Sequence, residues 1–200
     1  MKYLVAMIVY GMASFPSCQP VTDGPIGMDP QTPVTDTLDL SLADLIDSLN
    51  IDVTQLRLHV DKSERRMRMY AGDLLLTSYP CVLGLKPEGD KMQEGDRRTP
   101  EGRFTFRAKY PHADWHKFIW IDYPNAESRR RFKERKASGT VAADASMGGE
   151  IGIHGVPIGM DLWITLGADW TWGCIAMKNA DVDEIFTYIV PERTEIEIVP

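Results

Sequence analysis

The spacing of apolar residues alternates along this chain between a helical period and a strand-like period of two. A first helical stretch begins at Ser41, where Ser41 and Asp44 have the spacing of a capping box, and Asn50 is suited to its end. Its apolar positions fall on one face: Leu42, Leu45, Ile46 and Leu49. We therefore predict a short amphipathic helix that packs against the domain behind it.

Residues 56–82 follow a period of two instead. The alternating apolar positions are Leu56, Leu58 and Val60 in a first run and Met67 and Met69 in a second. Short polar stretches at 61–64 and 71–73 separate these runs from each other and from a third at 74–82. Three strands joined by short turns predict a β-meander.

Shorter signals follow in the second half of the chain. Thr99-Pro100-Glu101-Gly102 carries Pro and Gly where a type I turn favours them. Phe104 and Phe106 alternate behind it. Further short strands are predicted at residues 118–121, 151–153 and 195–199.

A last helix is predicted after Asn179, which can serve as its N-cap. Its acidic first turns, from Asp181 to Glu184, suit the positive end of the helix dipole. Its inner face would consist of Val182, Ile185, Phe186 and Ile189. Neither an internal repeat nor a parallel β-α-β rhythm is visible, so the predicted fold class is mainly β with short peripheral helices.

Composition narrows the class of protein without changing this picture. The 200 residues suffice for one well-buried domain with appendages, and the formal net charge of −7 argues against a nucleic-acid partner. The three cysteines are too few for a disulfide scaffold. No group of His, Cys, Asp and Glu has metal-ligand spacing, and no Gly-rich phosphate loop follows a strand. We therefore expect no metal and no other cofactor.

Residues 1–18 are predicted to be a signal peptide. Lys2 precedes an apolar run at 3–13, which is too short to span a bilayer and about right for a secretory segment. Ser17-Cys18 resembles a bacterial lipoprotein processing site, although the two residues before Ser17 depart from the usual pattern. Cys18 is therefore a candidate for lipidation and a membrane tether, and a plain signal peptide cut nearby is the alternative. In both cases we expect an exported protein of the periplasm or cell envelope.

The rest of the chain divides into a tether and a domain. Residues 19–40 are rich in Pro, Thr, Asp and Gly without apolar periodicity, which is typical of a flexible tether. Residues 41–200 carry all the periodic segments and are predicted to form one folded domain.

Two residues far apart in the chain, His154 and Cys174, are the candidates for chemistry. His154 precedes a glycine and Cys174 follows one, a residue set suited to a thiol nucleophile and its base. Taken singly, Cys174 is more often a small buried hydrophobe and His154 an ordinary strand-end histidine. Only a fold that brings them together would make a cysteine acyltransferase or hydrolase.

Four sequence pieces, in order, resemble the L,D-transpeptidase catalytic domain (YkuD) of bacterial peptidoglycan enzymes. The pieces are Tyr79-Pro80-Cys81-Val82-Leu83-Gly84, Arg98-Thr99-Pro100-Glu101-Gly102-Arg103-Phe104, Asp122-Tyr123-Pro124-Asn125 leading to Ile151-Gly152-Ile153-His154-Gly155, and Thr171-Trp172-Gly173-Cys174-Ile175-Ala176-Met177-Lys178-Asn179. One piece alone is weak, whereas four in register are hard to obtain by chance. The resemblance covers roughly residues 54–199 and implies an L,D-transpeptidase-like β-sandwich as the catalytic domain of residues 41–200.

The resemblance also implies a reaction and roles for three residues. Cys174 would attack the third residue of a peptidoglycan tetrapeptide stem, release D-alanine and form a thioester, which an amine of another stem would resolve. His154 would act as base and then as acid, and as an imidazolium it would lower the pKa of the thiol. The backbone carbonyl of Gly155 would orient the imidazole, so that no aspartate is required.

The residues around Cys174 include two departures from the family pattern. By resemblance, the N–H groups of Gly173 and Cys174 form the oxyanion hole, and Thr171 and Trp172 belong to the substrate-binding part of the site. Many members have a histidine where this chain has Trp172, and an arginine where it has Ala176. A tryptophan there would stack on the stem peptide or line the wall, and the missing arginine bears on substrate preference.

Two other functions share part of this pattern. Water in place of the amine acceptor would make the protein an L,D-carboxypeptidase or a hydrolase of existing links, and the sequence does not separate these from a transpeptidase. A non-catalytic peptidoglycan-binding lipoprotein with a degenerate site is the alternative from another class. The joint retention of His154, Gly155, Gly173 and Cys174 speaks against it. Peptidoglycan stem peptides are the expected partner.

The basic run at residues 129–136 stands out in an acidic protein. It is interpreted as a solvated helix face. The alternative is a flap that contacts substrate carboxylates through Arg129 and Arg130.

Three further residues near these pieces receive simpler interpretations. Asp161 and Asp169 are interpreted as solvated loop charges. Cys81 is interpreted as a small core residue, with a silencing disulfide to Cys174 as the alternative.

Overall fold

A computed structural model describes residues 40–200 of the protein. The predictions for residues 1–39, including Cys18, lie outside the described residues. The helices are α1 Leu42–Ser48, α2 Ala126–Ala137, α3 Leu162–Thr165 and α4 Asn179–Tyr188, with a short 3-10 helix at Val53–Gln55. The strands are β1 Leu56–Asp61, β2 Arg66–Ala71, β3 Leu74–Pro80, β4 Gly102–Phe104, β5 Phe106–His112, β6 His116–Ile121, β7 Gly152–His154, β8 Ile175–Ala176 and β9 Glu195–Val199.

The strands form two mixed sheets. The first has the order β3-β2-β1-β9-β4, in which β1 and β9 are parallel and the other neighbours are antiparallel. The second has the order β5-β6-β7-β8, in which β7 and β8 are parallel. The prediction of a mainly β fold with short peripheral helices is confirmed.

The predicted meander is confirmed, although its third strand ends at Pro80 and not at residue 82. Leu58 pairs with Met69 and Val60 with Met67 across β1 and β2, and all four side chains are buried, because alternate residues of a strand face the same side. The main hydrophobic core lies under this face and also includes Phe104, Phe106, Ile196 and Ile198. The two parallel strand pairs had no counterpart in the sequence predictions.

Both predicted helices form, with local differences. The Ser41 hydroxyl accepts from the Asp44 N–H, and the Asp44 carboxylate accepts from the Ser41 N–H, so the predicted capping box is present. Leu42 and Ile46 are buried, whereas Leu49 is exposed and lies outside the apolar stripe. In α4 the core-facing residues are Val182 and Ile185, with Phe186 half-buried, and Ile189 directly after the helix is also buried.

Three local predictions are wrong. Asn179 is the first residue of α4 and not its N-cap, since its side-chain oxygen accepts the Val156 N–H instead. Residues 99–101 form no turn, and the segment is instead tied to other parts of the chain, since the Thr99 hydroxyl accepts the Gly84 N–H and the Glu101 N–H donates to Asp90. The predicted strand 151–153 is displaced by one residue, to β7.

No helix within residues 40–200 is both long enough and apolar enough to cross a membrane.

Candidate active site

The parallel pair β7 and β8 brings His154 close to Cys174. His154 ends β7 and pairs with Ala176, and Cys174 immediately precedes β8. Both side chains line one cavity of about 470 Å³. The other lining residues are Tyr110, His112, Trp115, Phe118, Trp120, Glu150, Trp170, Thr171 and Trp172.

The imidazole of His154 is held in one tautomer. Its Nδ1 lies 2.7 Å from the carbonyl oxygen of Gly155. A carbonyl oxygen only accepts hydrogen bonds, so Nδ1 carries the proton and donates it. In the neutral ring, Nε2 is then without a proton and can accept one.

Aromatic rings enclose this imidazole. The Phe118 ring lies almost parallel to it, with centroids 6.1 Å apart, and the Trp115 and Trp170 rings lie at 5.1 and 5.7 Å. His154 is therefore only 4% exposed. Burial disfavours the charged form and lowers its pKa to about 4, which the hydrogen bond to Gly155 only partly opposes. The imidazole is neutral at pH 7.

The thiol of Cys174 is also uncharged at rest. Its Sγ lies 3.5 Å from the carbonyl oxygen of Glu150, to which the S–H donates. Burial raises its pKa to about 11, against smaller opposite effects from the Gly152 backbone and the Lys91 ammonium. The expectation of a thiol pKa lowered by an imidazolium is therefore wrong for the resting site, because burial disfavours both charges.

Thr171 and Gly173 shape the turn that presents Cys174. The Thr171 hydroxyl donates to the carbonyl oxygen of Cys174 at 2.7 Å and accepts the Gly173 N–H at 3.1 Å. Gly173 has φ +132°, and a Cβ there would lie 2.7 Å from the carbonyl oxygen of Arg98. Only glycine fits without displacement.

The hydrogen bond from Gly173 to Thr171 changes the expected oxyanion hole. The Gly173 N–H already has an acceptor, so it is not a free donor in this conformation. The Cys174 N–H makes no hydrogen bond to another described residue. Of the two predicted donors, only the N–H of Cys174 is without an acceptor among the described residues in this conformation.

Gly155 is fixed by close packing. A Cβ at this position would lie 2.2 Å from Oδ1 of Asn179 and 3.1 Å from the carbonyl oxygen of Trp115. That Oδ1 also accepts the Val156 N–H at 2.8 Å. The Asn179 side chain at the start of α4 thus leaves no space for a side chain at Gly155, the residue after His154.

The two aspartates are structural, and their interpretation as solvated loop charges is wrong. Asp169 forms a bidentate pair with Arg65, closest at 2.7 Å, and also accepts the Leu83 N–H. Asp161 accepts the Asn179 N–H at the start of α4. Both fix the segment that joins His154 to Cys174.

The two positions that depart from the family pattern have opposite environments. Trp172 is 69% exposed at the rim of the cavity, and the Arg97 guanidinium lies 5.0 Å from the centre of its ring. Ala176 is fully buried in a small apolar cluster with Val82, Val156 and Ile164.

The basic run forms α2, away from the residues that line the cavity. Arg129 and Arg130 are exposed, and Arg130 pairs with Glu127 and Glu134 on its own helix. A wholly solvated face is nevertheless wrong for the run, because Arg131 and Arg135 both bind the partly buried Asp90.

Cys81 is a core residue, as interpreted. It is 1% exposed and belongs to the main hydrophobic core. Cys81 and Cys174 are both free thiols, so the alternative of a disulfide between them is wrong for this structure.

Sequence reasoning did not identify seven of the residues that line the cavity: Tyr110, His112, Trp115, Phe118, Trp120, Glu150 and Trp170. The tryptophans gave a signal, since five in 200 residues is a high number and aromatic side chains often line ligand sites. Glu150 gave none beyond its place next to the predicted strand. Within residues 40–200, no three or more His, Cys, Asp or Glu side chains are arranged to hold a metal ion.

A thiol and a tautomerically fixed imidazole in one cavity are the two groups that cysteine-dependent acyl transfer requires. The family model for the L,D-transpeptidase catalytic domain (YkuD) matches residues 55–198. The chain therefore belongs to this family.

Solved structures share the fold. A Campylobacter jejuni structure, described as the helical cell shape determining protein Pgp2, matches with a TM-score of 0.53 and 24% identity over 72% of this chain and 46% of that one. Bd1075 of Bdellovibrio bacteriovorus matches with a TM-score of 0.53 and 21% identity over 72% of this chain and 48% of that one. The match thus spans about half the length of each. The comparison with curated protein sequences gave no significant match.

Proposed function

We propose that the protein is a peptidoglycan L,D-transpeptidase that uses Cys174 as its nucleophile and His154 as its base. The observation that carries the proposal is the shared cavity, in which His154 donates from Nδ1 to Gly155 and keeps Nε2 for proton transfer. Membership of the L,D-transpeptidase catalytic domain family supports the choice of peptidoglycan stem peptides as substrate.

Acylation follows from the resting state of the two groups. Because thiol and imidazole are both neutral, the S–H proton moves to Nε2 of His154 as Sγ attacks the carbonyl carbon of the third stem residue. The carbonyl oxygen becomes negative and accepts the Cys174 N–H. The C–N bond then breaks, Nε2 returns the proton to the departing amine of D-alanine, and a thioester remains.

Deacylation reverses the proton path. An amine of a second stem attacks the thioester carbon and loses a proton to Nε2, and the C–S bond breaks as the proton returns to Sγ. The product contains a new amide link, and the enzyme recovers its thiol. If water replaces the amine, the same steps give a shortened stem.

The proposal includes a location. We propose that the protein acts outside the cytoplasm, on the cell wall, and that the predicted signal peptide delivers it there. A lipid on Cys18 would hold the domain near a membrane through the predicted tether of residues 19–40. Metabolic labelling with a radioactive fatty acid, compared with a Cys18→Ala variant, tests this lipid.

One experiment tests the reaction. Purified protein is incubated with disaccharide-tetrapeptide, and the products are separated and weighed by mass spectrometry. Cross-linked dimer with free D-alanine is the expected result, and Cys174→Ala is the control that gives neither. Tripeptide without dimer would assign the hydrolytic function, and unchanged substrate would contradict both.

A further inference from the structure

We infer that the Arg97 guanidinium, stacked on Trp172, binds a free carboxylate of the substrate peptide at the rim of the cavity. This inference rests on the proposed function, and it identifies a residue of the same site that would bind the substrate peptide. It starts from the charges around the cavity. The lining side chains include one carboxylate, Glu150, and no lysine or arginine. A stem peptide carries free carboxylates, so a cation that receives one must come from the rim.

Arg97 is placed at this rim by its contact with Trp172. The guanidinium carbon lies 5.0 Å from the centre of the Trp172 ring, within the range of a cation–π contact. Trp172 is exposed, lines the cavity and is separated from Cys174 by one residue. The guanidinium N–H groups donate to no other residue in the described part of the chain, so they are available to a planar carboxylate.

The charge of Arg97 is uncompensated. Within residues 40–200, it makes no ion pair with a carboxylate, whereas Arg65 and Arg131 are paired with Asp169 and Asp90. Lys91 is also unavailable, since its buried ammonium binds Asp96. An exposed guanidinium that is stacked but unpaired retains its full capacity for a bidentate carboxylate.

The backbone of Arg97 is held firmly, as a binding residue requires. Its φ is +60°, a conformation that residues other than glycine rarely adopt. Its carbonyl oxygen accepts the Lys86 N–H at 3.0 Å and rests against Gly84, where a Cβ would lie only 2.2 Å from it. The next N–H, of Arg98, donates to Asp96. These contacts fix the position from which the side chain reaches Trp172.

The inference is tested by binding, which does not depend on turnover. In a Cys174→Ala background, calorimetry measures the Kd of three tetrapeptides: one with all carboxylates free, one amidated at its C-terminus, and one amidated at its side-chain carboxylates. Arg97→Ala should weaken binding of the free peptide about tenfold, the loss of one charge-assisted contact. One of the two amidated peptides lacks the carboxylate that Arg97 binds, and for that peptide Arg97→Ala should leave the Kd unchanged. The unaffected peptide therefore shows which carboxylate is bound.

Two variants sharpen the result. Arg97→Lys keeps the charge without the planar stack and should recover part of the affinity. Arg193→Ala is the matched control, because Arg193 is also exposed but lies away from the cavity. The N–H of its neighbour Glu192 donates to the carbonyl oxygen of Phe106 at the start of β5, whereas the cavity residue His112 is at the other end of that strand. Arg193→Ala should change nothing.

The inference would be overturned if Arg97→Ala bound all three peptides as tightly as its parent does. It would also be overturned if the substitution weakened the binding of all three peptides equally. The same holds if the parent binds none of them. Failure of the proposed function is a separate observation: the protein with Cys174 intact would then bind the free peptide and release no D-alanine from it.

Discussion

Nδ1 of His154 and the carbonyl oxygen of Gly155 lie 2.7 Å apart inside an aromatic enclosure, and this single contact sets the tautomer of the imidazole. The same enclosure lowers the pKa of the ring to about 4. The protein therefore combines an imidazole that resists protonation with a thiol that resists ionisation.

The first prediction concerns the titration of His154. Because burial lowers its pKa to about 4, the acid limb of kcat/KM should lie near pH 4 and not near the ordinary histidine value of 6.5. Activity should be level between about pH 5.5 and 8. Direct titration of the ring carbon–proton signals by NMR in histidine-labelled protein separates His154 from carboxylates. A midpoint near 6.5 would contradict the prediction.

The second prediction links the same pKa to stability. The folded-state pKa lies below the unfolded value, so between pH 6.5 and 4 the unfolded chain binds more protons, and stability falls as the pH is lowered through this window. The loss from this group should approach about 3 kcal/mol. Urea unfolding at several pH values measures it. His154→Asn should flatten the slope, and an unchanged slope would argue against a buried neutral imidazole.

The third prediction concerns the space at Gly155. Gly155→Ala would place Cβ 2.2 Å from Oδ1 of Asn179, so either the side chain of Asn179 moves and Val156 loses its acceptor, or the strand end shifts. The free energy of unfolding should fall by about 2 kcal/mol, and D-alanine release should fall at least tenfold. Gly149→Ala is the control, since its Cβ would meet nothing closer than 3.7 Å. Equal effects of the two substitutions would count against this explanation.

The fourth prediction concerns Asp169, which ties the segment before Cys174 to the meander. Asp169→Asn removes the charge that holds Arg65 in a partly buried pair, and it weakens the acceptor of the Leu83 N–H. Chemical denaturation should show a loss of about 2 kcal/mol. Asp122→Asn breaks the more exposed Arg107 pair and should cost less than about 0.5 kcal/mol. A loss of similar size in both variants would show that the Asp169 pair is ordinary surface electrostatics.

The fifth prediction concerns the reactivity of the thiol. Burial is the main cause of the raised pKa of Cys174, and the carboxylate of Glu150 adds a smaller contribution in the same direction. Glu150→Gln removes that charge and should lower the pKa of the thiol, so alkylation by iodoacetamide at pH 8 should be faster than in the parent. The pH dependence of the alkylation rate gives the pKa of each variant. A rate that falls, or a pKa that does not move, would show that the charge of Glu150 does not act on the thiol.

The sequence predicted those parts of the fold that follow a clear period. Alternation in Leu56–Val60 and Met67–Met69 identified the meander, and the spacing after Asn179 identified α4. The parallel neighbours were not predictable, because β8 has two residues and β7 three, which is too few for a period. The pairing of β9 with β1 depends on the whole sheet.

The site was predictable in its residues and not in its electrostatics. His154 and Cys174 carried sequence signals, but the pKa of His154 depends on burial by the rings of Trp115 and Phe118, which belong to a different part of the chain. Likewise, nothing in the sequence showed that the Thr171 hydroxyl would occupy the Gly173 N–H. Local sequence patterns thus identified the candidate catalytic residues, whereas their protonation states depend on tertiary packing.

The position of β9 between β1 and β4 has a consequence for the order of folding. β4 pairs with no other described strand of its sheet, so it cannot join the meander before β9 is in place. In the pairing of β1 with β9, Arg57 lies opposite Glu195, and a very long segment of chain separates the two. Bringing the ends of that segment together costs conformational entropy before the strands can pair. A ribosome-bound chain that ends before residue 195 would therefore hold the meander without β4. We expect the first sheet to close late, as one of the last steps of domain assembly.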